Sequence, residues 1–77
     1  MLYRIKINSI EKVKNFSKIC SKYNFPVYII CGRYVADGKS IMGLFSLDLT
    51  QILTMEVDKN PQIKNFLKEV EEFIIED

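Results

Sequence analysis

The 77 residues of this chain contain no histidine. That absence removes the commonest general base, so no serine hydroxyl here has an imidazole to activate it. Cysteine is nearly absent too. Cys20 and Cys31 form no C-x-x-C motif, and without histidine they do not make up a zinc ligand set. Each falls on an apolar stripe, so both are expected as buried, reduced thiols. Neither a metal nor a cofactor is expected. Long apolar runs are missing, and none approaches the roughly 20 residues a membrane span requires. The opening Met1-Leu2-Tyr3-Arg4-Ile5-Lys6-Ile7 alternates apolar with charged residues instead of forming a signal segment. The expected location is therefore the cytoplasm, away from any membrane. Neither sign of charge dominates: the net charge is +1, too near neutral to argue for nucleic acid. At this length one domain, residues 1–77, is expected.

What is present is strong periodicity. Tyr3, Ile5 and Ile7 alternate with Arg4 and Lys6, the period-two mark of a half-buried strand. Ser9 is a natural helix N-cap, and Glu11 suits the positive end of the helix dipole. Ile10, Val13, Phe16 and Cys20 recur at helical spacing, predicting a helix from about Ile10 to Lys22 that stops at Asn24-Phe25-Pro26. Val27 to Cys31 is an apolar strand, Gly32-Arg33 a type II′ turn, and Tyr34 to Ala36 a short returning strand. After the loop Asp37-Gly38-Lys39, Ser40 is the expected N-cap of a short helix ending near Leu47 or Leu49. Gln51 to Val57 alternates as another strand. Asn60-Pro61 reads as an N-cap followed by proline at the first helical position. Ile63, Phe66, Leu67, Val70, Phe73 and Ile74 then form one helical stripe. Three amphipathic helices covering one face of a four-stranded antiparallel sheet make a two-layer α+β fold.

The charge pattern singles out little chemistry. Lys14, Lys18 and Lys22 share one helical face and read as a solvated surface, while Glu69, Glu71, Glu72, Glu76 and Asp77 concentrate acid toward the end. Gly32 and Gly38-Lys39-Ser40 imitate a P-loop, but five residues separate the glycines where the motif requires four. Adjacent carboxylates such as Glu71 and Glu72 carry no mark of a glycosidase or metal site.

Lys39-Ser40-Ile41-Met42-Gly43, with Leu44-Phe45-Ser46-Leu47 behind, resembles the second-helix segment of HPr, the small phosphocarrier of the bacterial sugar phosphotransferase system. Tyr23, the hairpin strands and the amphipathic last segment fall at HPr-like spacing, so the resemblance covers nearly the whole chain. It implies an open-faced sandwich, β-α-β-β-α-β-α, with strand order 1-4-2-3. In that family a loop before the first helix bears the histidine that receives phosphate from enzyme I, with an arginine beside it. Only Asn8 and Ser9 stand between strand and helix here. Ser9 falls in the histidine's place and Glu11 in the arginine's; a glutamate there repels phosphate. The expectation is a non-catalytic relative and not an enzyme, with a phosphocarrier using a serine acceptor as the alternative.

The same resemblance assigns Ser40 to the serine that a dedicated HPr kinase phosphorylates in many family members, after which a catabolite-control-type repressor binds. It also assigns Lys39, Ile41, Met42 and Phe45 to the surface that docks protein partners. Separately, Tyr28 and Ile30, with Ile52 as a candidate third member, are placed by alternation on the open face of the sheet. That face is more apolar than such faces usually are, which leaves a homodimer through the sheet, or through its edge, as a third reading.

Overall fold

The computed structural model describes residues 1–75, so the acidic Glu76 and Asp77 lie outside the described residues. Seven elements follow in the order β1 (Leu2–Ile5), α1 (Ile10–Cys20), β2 (Val27–Cys31), β3 (Tyr34–Asp37), α2 (Ile41–Phe45), β4 (Leu53–Val57) and α3 (Ile63–Glu69), closed by a 3-10 turn at Glu71–Phe73. All pairings are antiparallel and the sheet order is β1-β4-β2-β3. This is the two-layer α+β fold expected from the pattern, with the strand order that the resemblance implies.

Alternation explains the two faces. Ile5, Val27, Ile29, Ala36, Leu53, Met55 and Val57 point inward and are buried against Val13, Phe16 and Cys20 of α1, Leu44 of α2 and Phe66 of α3. Phe16 meets Phe73 edge-on at 5.5 Å, while Tyr23, Phe25 and Phe66 form a second aromatic group with centroids 5.2–5.3 Å apart. Gly32, at φ 60°, supplies the positive φ that begins the type II′ turn between Cys31 and Tyr34.

Several boundaries differ from the expected ones. Helix α1 ends at Cys20, two residues short of Lys22; Lys22 therefore leaves the lysine face and instead pairs with Glu69 of α3. Helix α2 stops at Phe45, because Ser46 Oγ donates to the Gly43 carbonyl at 2.6 Å and takes up one of the helix's last acceptors. Strand β4 begins at Leu53 and omits Gln51 and Ile52. Asn60 does accept from the Gln62 N–H at 2.9 Å, as an N-cap would, yet Pro61 and Gln62 form a turn and the helix proper starts at Ile63.

The largest difference lies at the end of the last stripe. The helix does not run to Ile74. It gives way at Val70 to the 3-10 turn, after which Ile74 is extended (φ −79°, ψ 132°) and bridges Ile5. Lys6 N–H donates to the Phe73 carbonyl at 2.9 Å and Ile75 N–H to the Arg4 carbonyl at 2.8 Å. The chain end thereby covers the outer edge of β1, satisfying backbone groups that an uncovered edge leaves unpaired.

Candidate functional site

The segment from Asp37 to Phe45 is built around three local constraints. Gly38 donates its N–H to the Val27 carbonyl at 2.7 Å, and a Cβ at Gly38 would stand 2.9 Å from Val27 Cγ1; glycine is required by that close approach. The Lys39 N–H bonds Asp37 Oδ1 at 2.9 Å, and the Lys39 carbonyl accepts from Ser17 Oγ at 3.0 Å. Ser17 is buried on α1, so this bond fastens the loop to the long helix. Ser40 then caps α2: its Oγ accepts the Gly43 N–H at 3.0 Å from an extended backbone (φ −103°, ψ 110°).

Beyond the cap, α2 divides cleanly. Leu44 is fully buried, whereas Met42 is 81% exposed, Ile41 40% and Phe45 39%. Three large apolar side chains on a five-residue helix thus leave substantial area in solvent. Lys39 and Ser40 are half-buried beside them. The sequence-predicted residues Lys39, Ser40, Ile41, Met42 and Phe45 are brought into one contiguous surface segment. Ser17, which anchors it, was not singled out by sequence reasoning.

Ser9 and Glu11 form a different place. Ser9 caps α1 by accepting the Lys12 N–H at 3.1 Å. It lines a depression with Glu11, Lys12, Asn15, Glu72 and Phe73. Glu11, Glu72 and Lys12 thus share a depression with Ser9, whose oxygen is engaged by the Lys12 N–H. Tyr28 and Ile30 lie on the helix-free face of the sheet, Tyr28 46% exposed and Ile30 half-buried, with Ile52 46% exposed beyond the end of β4.

The thiols are unequal. Burial pushes the Cys20 thiol up to about 12, partly opposed by the Lys39 charge. Cys31 is half-buried and not buried as expected, because it closes the hairpin at the sheet margin. At the far end of α1, Glu69 accepts from both Lys22 Nζ and Tyr23 Oη. Lys22, and then Tyr23, hold the Glu69 carboxyl below its ordinary range, while the bond to that carboxylate raises the Tyr23 hydroxyl. Among the described residues no group of three or more potential metal-ligating side chains occurs, and no helix is long and apolar enough to cross a membrane.

No family model matches the chain, and no curated relative does. Solved structures do resemble it. The crystal structure of HPr-C-His from Thermoanaerobacter tengcongensis superposes with a TM-score of 0.73 at 18% identity, covering 94% of this chain and 85% of that one. The histidine-containing phosphocarrier protein of Mycoplasma gives a TM-score of 0.72 at 17% identity, covering 94% and 86%. Element order, the 1-4-2-3 sheet and these superpositions agree: this chain has the HPr-like fold.

Proposed function

We propose that this chain is a non-catalytic, HPr-like docking protein related to the sugar phosphotransferase system, which presents Ile41, Met42 and Phe45 to a protein partner. The observation that carries the reading is the division of α2: Leu44 is buried to hold the helix, while Met42, at 81% exposure, is held out. Methionine is unbranched and polarisable, and an exposed group of Met, Ile and Phe suits a surface that accommodates a partner. The 77 residues hold no histidine to carry phosphate, and Ser9, a helix cap with Glu11 and Glu72 in the same depression, is a poor substitute. Ser40 is the proposed switch. Its hydroxyl is half-buried at the N-cap, and a phosphate there would meet helix N–H groups and the Lys39 charge. The partners proposed are an HPr kinase and a catabolite-control-type repressor, in the cytoplasm.

Intact mass after incubation with an HPr kinase and ATP tests the switch. The expected result is one phosphate on the wild type and none on Ser40→Ala. Docking is tested separately by titrating a purified catabolite-control-type repressor against labelled protein, with and without phosphorylation. Chemical-shift changes should centre on Ile41, Met42 and Phe45 and disappear in Met42→Asp. Shifts confined to other surfaces, or none at millimolar repressor, would discard the reading.

A further inference from the structure

The two margins of the sheet are treated differently. The margin at β1 is covered by residues 73–75, through the Lys6–Phe73 and Ile75–Arg4 bonds. The margin at β3 carries no such cover among the described residues: β3 pairs with β2 alone, Tyr34 is 72% exposed and Val35 62%. The two-residue turn makes Cys31 and Tyr34 the hydrogen-bonded closing pair. Alternation then turns the N–H and C=O of Tyr34 and Ala36 toward β2, and those of Val35 outward. An open edge of this kind is a template for another strand.

The sequence along that edge says which strand fits. Arg33-Tyr34-Val35-Ala36-Asp37 has opposite charges at equal distances from Val35, and both Arg33 and Asp37 are exposed. We propose that β3 pairs with β3 of a second copy of this chain, antiparallel about a two-fold axis at Val35. In that register each Val35 N–H donates to the partner's Val35 carbonyl, which agrees with the outward direction of those groups. Arg33 then stands across from the partner's Asp37, and the pair recurs by symmetry. A parallel pairing would oppose like charges, so the charges select the antiparallel self-pair. Val35 lies on the open face beside its cross-strand neighbour Ile30, and across the seam it meets its own copy. The contact is small, and a reversible dimer below the size of a standard interface is the expected product. This inference is independent of the docking surface on α2.

Sedimentation velocity from micromolar to millimolar concentration, with hydrogen exchange at Val35, tests it. The wild type should associate with concentration, and the Val35 amide should become protected as it does. Val35→Pro removes an N–H that β2 does not use, on an edge strand where proline is tolerated, and should give monomers with an unchanged circular dichroism spectrum. Arg33→Asp and Asp37→Arg, each alone, place like charges in opposition and should weaken association at least about tenfold. An equimolar mixture of the two should recover it as a heterodimer, because the opposite charges again face each other. A wild type that stays monomeric to millimolar concentration overturns the proposal. So does a dimer that Val35→Pro and charge reversal leave intact, including one that Tyr28→Asp breaks, which would belong to the open sheet face.

Discussion

Two serines begin two helices in the same way, and their surroundings make them different places. Ser9 accepts the Lys12 N–H at 3.1 Å and Ser40 the Gly43 N–H at 3.0 Å, each from an extended backbone. After Ser9 comes an eleven-residue helix with Val13, Phe16, Ser17 and Cys20 buried, and around its start stand Glu11 and Glu72. After Ser40 comes a five-residue helix with Leu44 alone buried, and its other large side chains are exposed. A long helix supports itself through a stripe of core contacts. A helix of five residues is far below the length at which propensity sustains it, so tertiary anchors must do so. The difference teaches that the same cap opens a helix held by its own core stripe at α1 and one held by a single buried residue at α2.

The sharpest way to break the comparison is to remove the anchor of the short helix. Leu44→Ala should cost about 2–5 kcal/mol of global stability in urea unfolding, as deletion of a fully buried leucine does. It should also expose the α2 amides to exchange before those of α1. Equal protection of both helices in that variant would show that α2 does not depend on its single buried residue. The caps come next. Ser9→Ala and Ser40→Ala should each cost about 0.5–2 kcal/mol. The loss at Ser9 should appear in global unfolding. The loss at Ser40 should appear mainly as faster exchange at Gly43 and its neighbours, with α1 unchanged. Matching exchange patterns in the two variants would erase the distinction.

Much of this contrast was legible in the residues. Val27 to Cys31 is an unbroken apolar run bounded by proline and glycine, so its limits agree with the structure. Ser40 is legible as a cap because a polar hydroxyl stands just before an apolar run. The fold order needed the resemblance, since alternation says which face a strand buries but not which strand lies beside it. Two features were missed for physical reasons. Ser17 completes the Val13, Phe16, Cys20 stripe at i+4, and a polar residue inside an apolar stripe was the available signal that a buried partner awaited it. The stripe from Ile63 to Ile74 keeps helical spacing to its end, yet Phe73 reaches the core through a 3-10 turn and Ile74 through pairing with Ile5. Spacing alone does not separate a continuing helix from a segment whose backbone bonds are better met by a sheet edge. The proposed docking surface is only partly legible for the opposite reason: the exposure of Met42 beside a buried Leu44 is a tertiary fact.

The smallest expected effect separates the two helices by pH. Each helix is followed by a turn held by a carboxylate: Glu69 beyond α1, bound by Lys22 and Tyr23, and Asp48 beyond α2, which accepts from Thr50 Oγ1 at 2.6 Å. Both carboxyls are held below their ordinary range, Glu69 chiefly by Lys22 and Asp48 chiefly by the Thr50 hydroxyl. A depressed carboxyl stabilises the fold above its unfolded value, and that contribution is lost as pH falls through the folded one, so both turns should loosen in acid. Tyr23 runs the other way. Its hydroxyl is raised by the bond to Glu69, so the neutral form is favoured in the fold. That contribution is complete below the ordinary tyrosine range near 10 and is lost as pH rises through the raised value. The end of α1 should therefore weaken at both extremes and the end of α2 only in acid. All three groups are exposed and screened, so the shifts in Tm will be small. Tm measured from pH 3 to 11 for the wild type, Tyr23→Phe and Thr50→Ala gives the check. Tyr23→Phe should differ from wild type at neutral pH and converge with it at the alkaline end, and Thr50→Ala should converge with it in acid. If Tyr23→Phe tracked the wild type across the alkaline range with a constant offset, the tyrosine–glutamate bond would not be what ties α1 to α3.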